Sequence, residues 1–505
     1  MKQFNINKCK LLLLVIIMST SACNKDFLDR PKPTESITEE EVFKSASGVR
    51  SYFNGLYSKM RQPWAPIGAT DYNETENWGY TSVNITRVND GIDIINPGGW
   101  YQSDYRHENR EPSYRRTVFT WQFFYETINQ TNVIIKGVAA STTISDEDKA
   151  KLTAEAKALR GWFYFELVRE FQFTVAKDPN APGVPVYTEP TSVDNKGKPR
   201  GAVAEVYALI NEDMQYASEH IGSERLYKSQ IILPVVYGMI ARTMLEQHKW
   251  TEAIEAAQKA REGFALDRDS YDGAYRDMEN STEVMWGFPQ TVTGAAQSQY
   301  YNTPSSFFEK TGVGYDNFYI NSDFVATFSE TDIRNLFFIS NASPTSQRRY
   351  STNKFGLPGS EEIDLINGQT VPLKEMDFEE SQPMMRIAEM YLIEAEANAE
   401  LGEDAAAQDL LFTLQSDRDE AAAPSGNTGA TLINEILLER RKELYGELGI
   451  DFLDLRRRQL PLVRAGNHAP AYQFNFPANS KEFILRIPQR EIDTNDFIDE
   501  SDQND

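Results

Sequence analysis

Between Leu152 and Phe171 the residues Ala156, Leu159, Phe163 and Leu167 bring an apolar side chain round every three or four positions. That spacing lines one face of an α-helix and commits the block to helix-on-helix packing. Asp146, Glu147 and Asp148 stand near its start, where carboxylates complement the helix dipole. A second block runs from Val203 to His220 with Val206, Ile210 and Met214 on one face, and Pro234 suits the first turn of a third through Tyr237, Ala241 and Leu245. Past His248 the pattern resumes at Trp250, Ala253, Ala257 and Ala260. Near the C-terminus Ile387, Tyr391, Ala395 and Ala399 form a helix, Gly402 breaks it, and Ala407, Leu411 and Leu414 form the next. His248 to Ala253 and Gly402 to Ala407 are equal steps, each followed by small or apolar residues. Small residues at those places let paired helices approach closely, as in the turn and second helix of a tetratricopeptide repeat; two generic hairpins are the alternative. The two pairs are too far apart to be a tandem array, so something is inserted between them.

Two stretches interrupt the helices. Residues 61–117 show no helical period and many prolines and glycines, yet carry Trp64, Tyr72, Trp78, Tyr80, Trp100, Tyr101 and Tyr105. So long a stretch inside a globular chain is a functional loop or a linker, and its aromatic content argues against a linker. Residues 273–382 mix short strand-like runs such as Val284-Met285-Trp286 with turns, and carry Tyr300, Tyr301, Phe307, Phe308, Tyr315 and Tyr319. Residues Asp493 to Asp505 read as an acidic, solvated tail.

The N-terminus is an address. Lys2, Lys8 and Lys10 precede an apolar run from Leu11 to Met18, then Ser19, Thr20, Ser21, Ala22 and Cys23. The run is too short to cross a bilayer core, which needs about 20 apolar residues, and reads as an export signal. Thr-Ser-Ala-Cys resembles a bacterial lipobox, with Thr20 in place of the usual aliphatic residue. Cleavage before Cys23 would leave one cysteine, lipidated on its sulfur, and several acyl chains anchor a protein firmly. With 75 acidic against 51 basic residues the chain carries a net charge of −24, which disfavours nucleic acid and anionic lipid as partners. Two cysteines, Cys9 and Cys23, offer no disulfide framework.

Catalytic signatures are missing. Four scattered histidines form no His-Glu-x-x-His, no Gly-x-Ser-x-Gly occurs, and no phosphate loop is complete. Asp71-Tyr72-Asn73-Glu74-Thr75-Glu76-Asn77 alternates oxygen ligands but lacks the glycine and distal glutamate of a calcium loop, so no cofactor is expected.

Four segments, in order, resemble the SusD/RagB family of outer-membrane nutrient-binding lipoproteins. They are Ala154-Glu155-Ala156 with Leu159-Arg160 and Tyr164-Phe165, leading to Gly183-Val184-Pro185; Arg386-Ile387-Ala388-Glu389 with Tyr391-Leu392 and Ala395-Glu396-Ala397; Glu439-Arg440-Arg441 with Glu443-Leu444 and Asp454-Leu455-Arg456-Arg457; and Ile487-Pro488 with Glu491-Ile492. With the lipobox they span nearly the whole chain, although an acidic end replaces the family's usual finish. The resemblance implies a mainly α, tetratricopeptide-like scaffold with long loops and a few short strands. Residues 1–22 would be the signal peptide and 23–505 one SusD-like domain. Within it, 23–272 would hold helical repeats and the insertion 61–117, 273–382 a second insertion, and 383–505 the last repeats and tail. It further implies a surface-exposed glycan binder that caps a SusC-like, TonB-dependent transporter and performs no chemistry. A lipid-anchored glycosidase and a peptide-binding relative are the alternatives. Arg160, Glu166, Arg386, Glu389 and Arg441 read as ion pairs between packed helices rather than ligand contacts. Trp121, Trp162 and Trp250 sit at helical spacing and read as core, Trp286 as packed in its strand-like run. For the ligand we therefore expect the irregular stretches: Trp78 with Asn77 and Tyr80, Arg87 with Asn89, Trp100 with Tyr101, and Tyr300 and Tyr301. Aromatic rings cover the C–H faces of sugars while polar neighbours meet the hydroxyls.

Overall fold

Helix α4 (Asp146–Phe171) is the central post of the N-terminal half. Ser145 caps it by accepting the Asp148 N–H at 3.2 Å, and three carboxylates fill its first turn. α3 (Arg115–Ala140) packs along one side and α5 (Val203–His220) along another, so α4 is buried on most of its circumference. In the computed structural model the described residues are 39–66, 76–108, 110–192, 194, 196–289, 303–308, 315–340, 343, 345–355, 361–364, 369–372 and 380–504. Cys23, Asp71, Asn73, Tyr300 and Tyr301 lie outside them.

Two helical hairpins follow the predicted blocks closely. α6 (Leu233–Glu246) pairs with α7 (Trp250–Ala260), and α8 (Ile387–Glu400) with α9 (Asp404–Arg418). Both turns end their first helix in the left-handed region, His248 at φ 56° and Gly402 at φ 80°. In each, the next amide reaches back to close the helix: Lys249 N–H to Met244 C=O at 3.0 Å, Glu403 N–H to Asn398 C=O at 2.9 Å. α7 packs directly on α8 although residues 261–386 separate them in the chain, and its buried Ala253, Ala256, Ala257 and Ala260 permit the approach. The mainly α, tetratricopeptide-like reading therefore holds. α10 (Gly429–Leu444) and α11 (Ile450–Arg457) complete the C-terminal half.

The intervening excursion leaves and rejoins the helical body through one strand pair. β2 (Val284–Phe288) runs antiparallel to β8 (Gln382–Arg386), with an irregularity at Met285, and all five β2 residues are buried. Between them β3 (Tyr319–Ile320), β4 (Phe338–Ser340) and β5 (Tyr350–Thr352) join β1 (Ile94–Ile95) of the first stretch in one sheet, ordered β1-β3-β5-β4. β6 (Glu361–Asp364) and β7 (Gln369–Pro372) form a separate hairpin, and β9 (Leu462–Val463) pairs with β10 (Asn475–Phe476). The two irregular stretches thus share strands and a second apolar cluster that includes Ile85, Tyr101, Phe307, Phe318 and Phe355.

Two expectations are corrected. Residues 61–117 are not free of helix: α2 (Gly79–Asp90) lies within them, and every one of its residues is buried. A helix wrapped on all sides has no solvent-facing side, so its polar and apolar residues need not sort into an apolar stripe and a polar face. Nor is the C-terminus a solvated tail. The Asn504 side-chain amide donates to the Phe171 and Leu485 carbonyls, at 2.6 and 2.8 Å, and Gln503 exchanges hydrogen bonds with the Ile487 backbone. Amides that satisfy buried carbonyls dock the segment despite its charge. It passes through the short α12 (Gln489–Thr494).

Candidate functional site

Most of the residues expected to meet a ligand are packed inside. Tyr80, Arg87 and Asn77 are each 1 % exposed, Tyr101 is fully buried, and Trp78 is buried at the head of α2. Tyr80 sets its ring edge-on to Phe124 at 6.0 Å, and Tyr101 does the same to Phe307 at 5.4 Å while its hydroxyl shares a hydrogen bond with Ser82 at 2.9 Å. Arg87 is held by Glu166 and Glu170 of α4. Asn89 donates to Ile85 C=O at 2.8 Å and accepts from Asn96 at 3.0 Å. In this arrangement Trp78, Tyr80, Arg87, Asn89 and Tyr101 serve packing, and none presents a free face to a sugar. Indoles and phenols outside a periodic pattern looked surplus to a core; the enclosed α2 is the core that uses them.

The electrostatics around Arg87 are those of a structural lock. Burial alone raises the Glu170 carboxyl, but Arg87, Arg116 and Arg456 outweigh it and bring it down to about 2. Arg116 reaches the same carboxylate at 3.1 Å.

At the outer edge of the second apolar cluster the picture differs. Trp100 is half-buried and meets the half-buried Tyr315 edge to face at 5.9 Å; Tyr315 in turn stacks on Phe307 at 5.2 Å. The Trp100 carbonyl accepts from Asn96 at 2.8 Å and from Asn317 at 2.9 Å, which fixes the loop beneath the indole. Gly99 makes this possible: its φ is 103°, and a Cβ there would come within 3.1 Å of Asn317. The other Asn317 amide atom, Oδ1, is buried without a partner among the described residues, as is the Ser306 hydroxyl. Asn77 is an orphan of the same kind, with both side-chain polar atoms unpaired; its neighbour Glu76 accepts the Tyr101 N–H at 2.9 Å, which ties it to the Trp100 loop. Of the predicted residues, Trp100 and Asn77 thus keep a feature a ligand could use. Asn317 escaped sequence reading because a single asparagine between aromatics carries no signal by itself.

The fold is shared with known proteins. Residues 26–245 match a SusD-like family described as "Starch-binding associating with outer membrane", and residues 291–505 match the SusD family, as SusD/RagB. The chain belongs to the SusD/RagB family. SusD-like protein P25 of Formosa agariphila is 22 % identical over 312 residues, 59 % of this chain; the chain spans about half of that relative, 55 %. Among solved structures, a SusD-like carbohydrate binding protein from Bacteroides vulgatus superposes with a TM-score of 0.76 at 24 % identity, covering 91 % of this chain and 98 % of that one. A laminarin binding SusD-like protein superposes with a TM-score of 0.67 at 20 % identity, covering 91 % and 98 %. Family members associate with the outer membrane, and no described helix here is long and apolar enough to cross one.

The charged residues of the SusD/RagB segments hold this scaffold together. Arg160 grips Asp213 of α5 at 2.7 Å, Glu389 receives Arg242 of α6, and Arg441 pairs with Asp93. Arg386 is 1 % exposed and joins Glu443 at 2.7 Å, Glu447 at 2.8 Å and Glu283 at 3.1 Å. These contacts tie β8 to α10 and to the start of the excursion. In this SusD/RagB chain the motifs therefore mark the frame, and the loops they support are where recognition is to be sought.

Proposed function

We propose that the chain is a lipid-anchored, surface-exposed protein that captures glycan at the outer membrane and delivers it to a SusC-like, TonB-dependent transporter. Chemistry on the glycan is not part of this reading; energy-coupled passage belongs to the transporter. Membership of a family described as starch-binding and outer-membrane-associated supports the glycan and the location. The observation that carries the site is the Trp100–Tyr315 pair, two half-buried rings meeting beside the unpaired Asn317 acceptor. Rings cover the apolar C–H face of a sugar at little cost in side-chain entropy. A buried acceptor without a donor costs about 1–3 kcal/mol, which a sugar hydroxyl relieves. Tyr300 and Tyr301 stay in the proposed set through their place in the same stretch.

The test is calorimetry of the full chain with laminarihexaose and maltohexaose, repeated with Trp100→Ala and with Tyr315→Ala. Binding of either oligosaccharide that weakens at least tenfold in each variant, with circular dichroism unchanged, is the expected result. Equal affinity in both variants would move the site off this pair. Chromatography of the recovered oligosaccharide checks the remaining point: a shortened chain would make the protein a glycosidase.

A further inference from the structure

A second recess lies against α3, away from the Trp100–Tyr315 pair. Its volume is about 450 Å³, within the range of small-molecule sites, which is about 300–1,000 Å³. Along α3, Trp121, Tyr125, Asn129 and Asn132 follow one another at helical spacing and form its floor. The facing walls come from Tyr187 and Glu189, from Glu491 of α12, and from Trp64.

These walls are fixed by bonds that need no ligand. The Tyr125 hydroxyl donates to Pro185 C=O at 2.8 Å, and the Asn132 amide to Tyr187 C=O at 3.0 Å. Thr191 N–H reaches Asn129 Oδ1 at 2.8 Å. Glu491 accepts from Asn495 at 2.7 Å and from the Trp121 indole at 3.3 Å. A recess already held in shape loses little entropy on filling. What is left over is specific. The Trp64 indole N–H and the Asn129 N–H₂ group have no hydrogen-bond partner among the described residues. Tyr187 and Trp64 are only half-buried, and Trp64 is backed by Phe119 at 5.8 Å and Phe123 at 6.2 Å. Glu126, Glu189, Glu491 and Arg490 line the recess, with Lys59 on Glu126 at 2.8 Å, Lys136 on Glu189 at 3.4 Å and Lys198 over the Tyr187 ring at 5.5 Å. Flat rings, a free amide, an indole donor and carboxylate acceptors suit a polyol with apolar C–H faces.

We propose that this recess is a second saccharide site, which takes a short run of sugar. It rests on the glycan-binding reading above only in the choice of probe, and it shares no residue with the Trp100 site.

The experiment uses the full chain in detergent with cellobiose, laminaribiose and maltose, read by saturation-transfer NMR and calorimetry. At least one disaccharide is expected to bind and to lose at least tenfold in affinity in Tyr187→Ala. Asn129→Asp is the second variant, because it keeps an acceptor for Thr191 N–H while removing the free donor; it too should lose at least tenfold. Unchanged affinity in a folded Asn129→Asp overturns the proposal, and so does disaccharide binding that vanishes in Trp100→Ala alone. If hexaoses bind and no disaccharide does, the second site fails while the family reading stands; if neither class binds, both fail.

Discussion

Glu170 shows what a single buried charge does in this protein. Its carboxylate receives Arg87 and Arg116, and its pKa falls from the ordinary carboxylate range to about 2. A depressed carboxyl contributes stability that is fully present above its unfolded value. That stability is lost as pH falls toward the folded value, so the relevant window is from about 4.5 down to about 2. We expect Glu170→Gln to cost about 3–5 kcal/mol at pH 7, since it leaves Arg87 and Arg116 under-compensated in the interior. The difference from the wild type, measured by urea denaturation, should shrink as pH drops through that window. A constant gap across it would mean that Glu170 acts by shape rather than charge. Residues of this kind were legible in the sequence: Arg160, Glu166, Arg386, Glu389 and Arg441 stood in helical motifs, and all five are ion-paired. Arg87 was not, because its own helix gave no period and its partners lie 79 and 83 residues away.

At the scale of elements, the two hairpins were readable because their turns use the same device. The left-handed residue that closes α6 is His248 and the one that closes α8 is Gly402. A Cβ at Gly402 would meet nothing within 4 Å, so the backbone conformation is the whole cost of Gly402→Ala. We expect a loss of about 1–2 kcal/mol, seen as a lower urea midpoint at unchanged slope. Arg386→Met tests the opposite situation, where space is full and charge is paired. It strips Glu283, Glu443 and Glu447 of a shared cation at the neck of the excursion, and the expected cost is about 3–5 kcal/mol. Thermal unfolding of the two variants should therefore rank Arg386→Met well below Gly402→Ala. What the sequence could not convey at this scale is enclosure. α2 is wrapped on all sides and α3 carries an aromatic and amide stripe that faces a recess, and both facts depend on elements far away in the chain. Trp121 read as core from its helical spacing, and nothing local tells a core position from the floor of a recess.

For the whole molecule the proposed function joins three things: a proposed anchor at Cys23, sixteen residues before the first described residue, Glu39; a helical body; and proposed recognition surfaces on loops and in a recess. Delivery needs capture and barrel to act together. Confinement of both partners to one membrane by lipid gives an effective concentration on the order of mM, so even a modest lid–barrel affinity holds the complex closed. Two consequences follow for Cys23→Ser. Its affinity for an oligosaccharide in solution should match that of the wild type, because Cys23 belongs to neither proposed site. Its membrane association in cells lacking the transporter should vanish, since no described helix can replace the lipid. The wild type should also co-purify with a TonB-dependent transporter from detergent-solubilised outer membranes, as a lid that survives extraction needs an interface of the size of stable complexes, about 1,200–2,000 Å². Recovery of the wild type only as a free monomer, under conditions that preserve other outer-membrane complexes, would separate capture from delivery and leave a binder without its barrel.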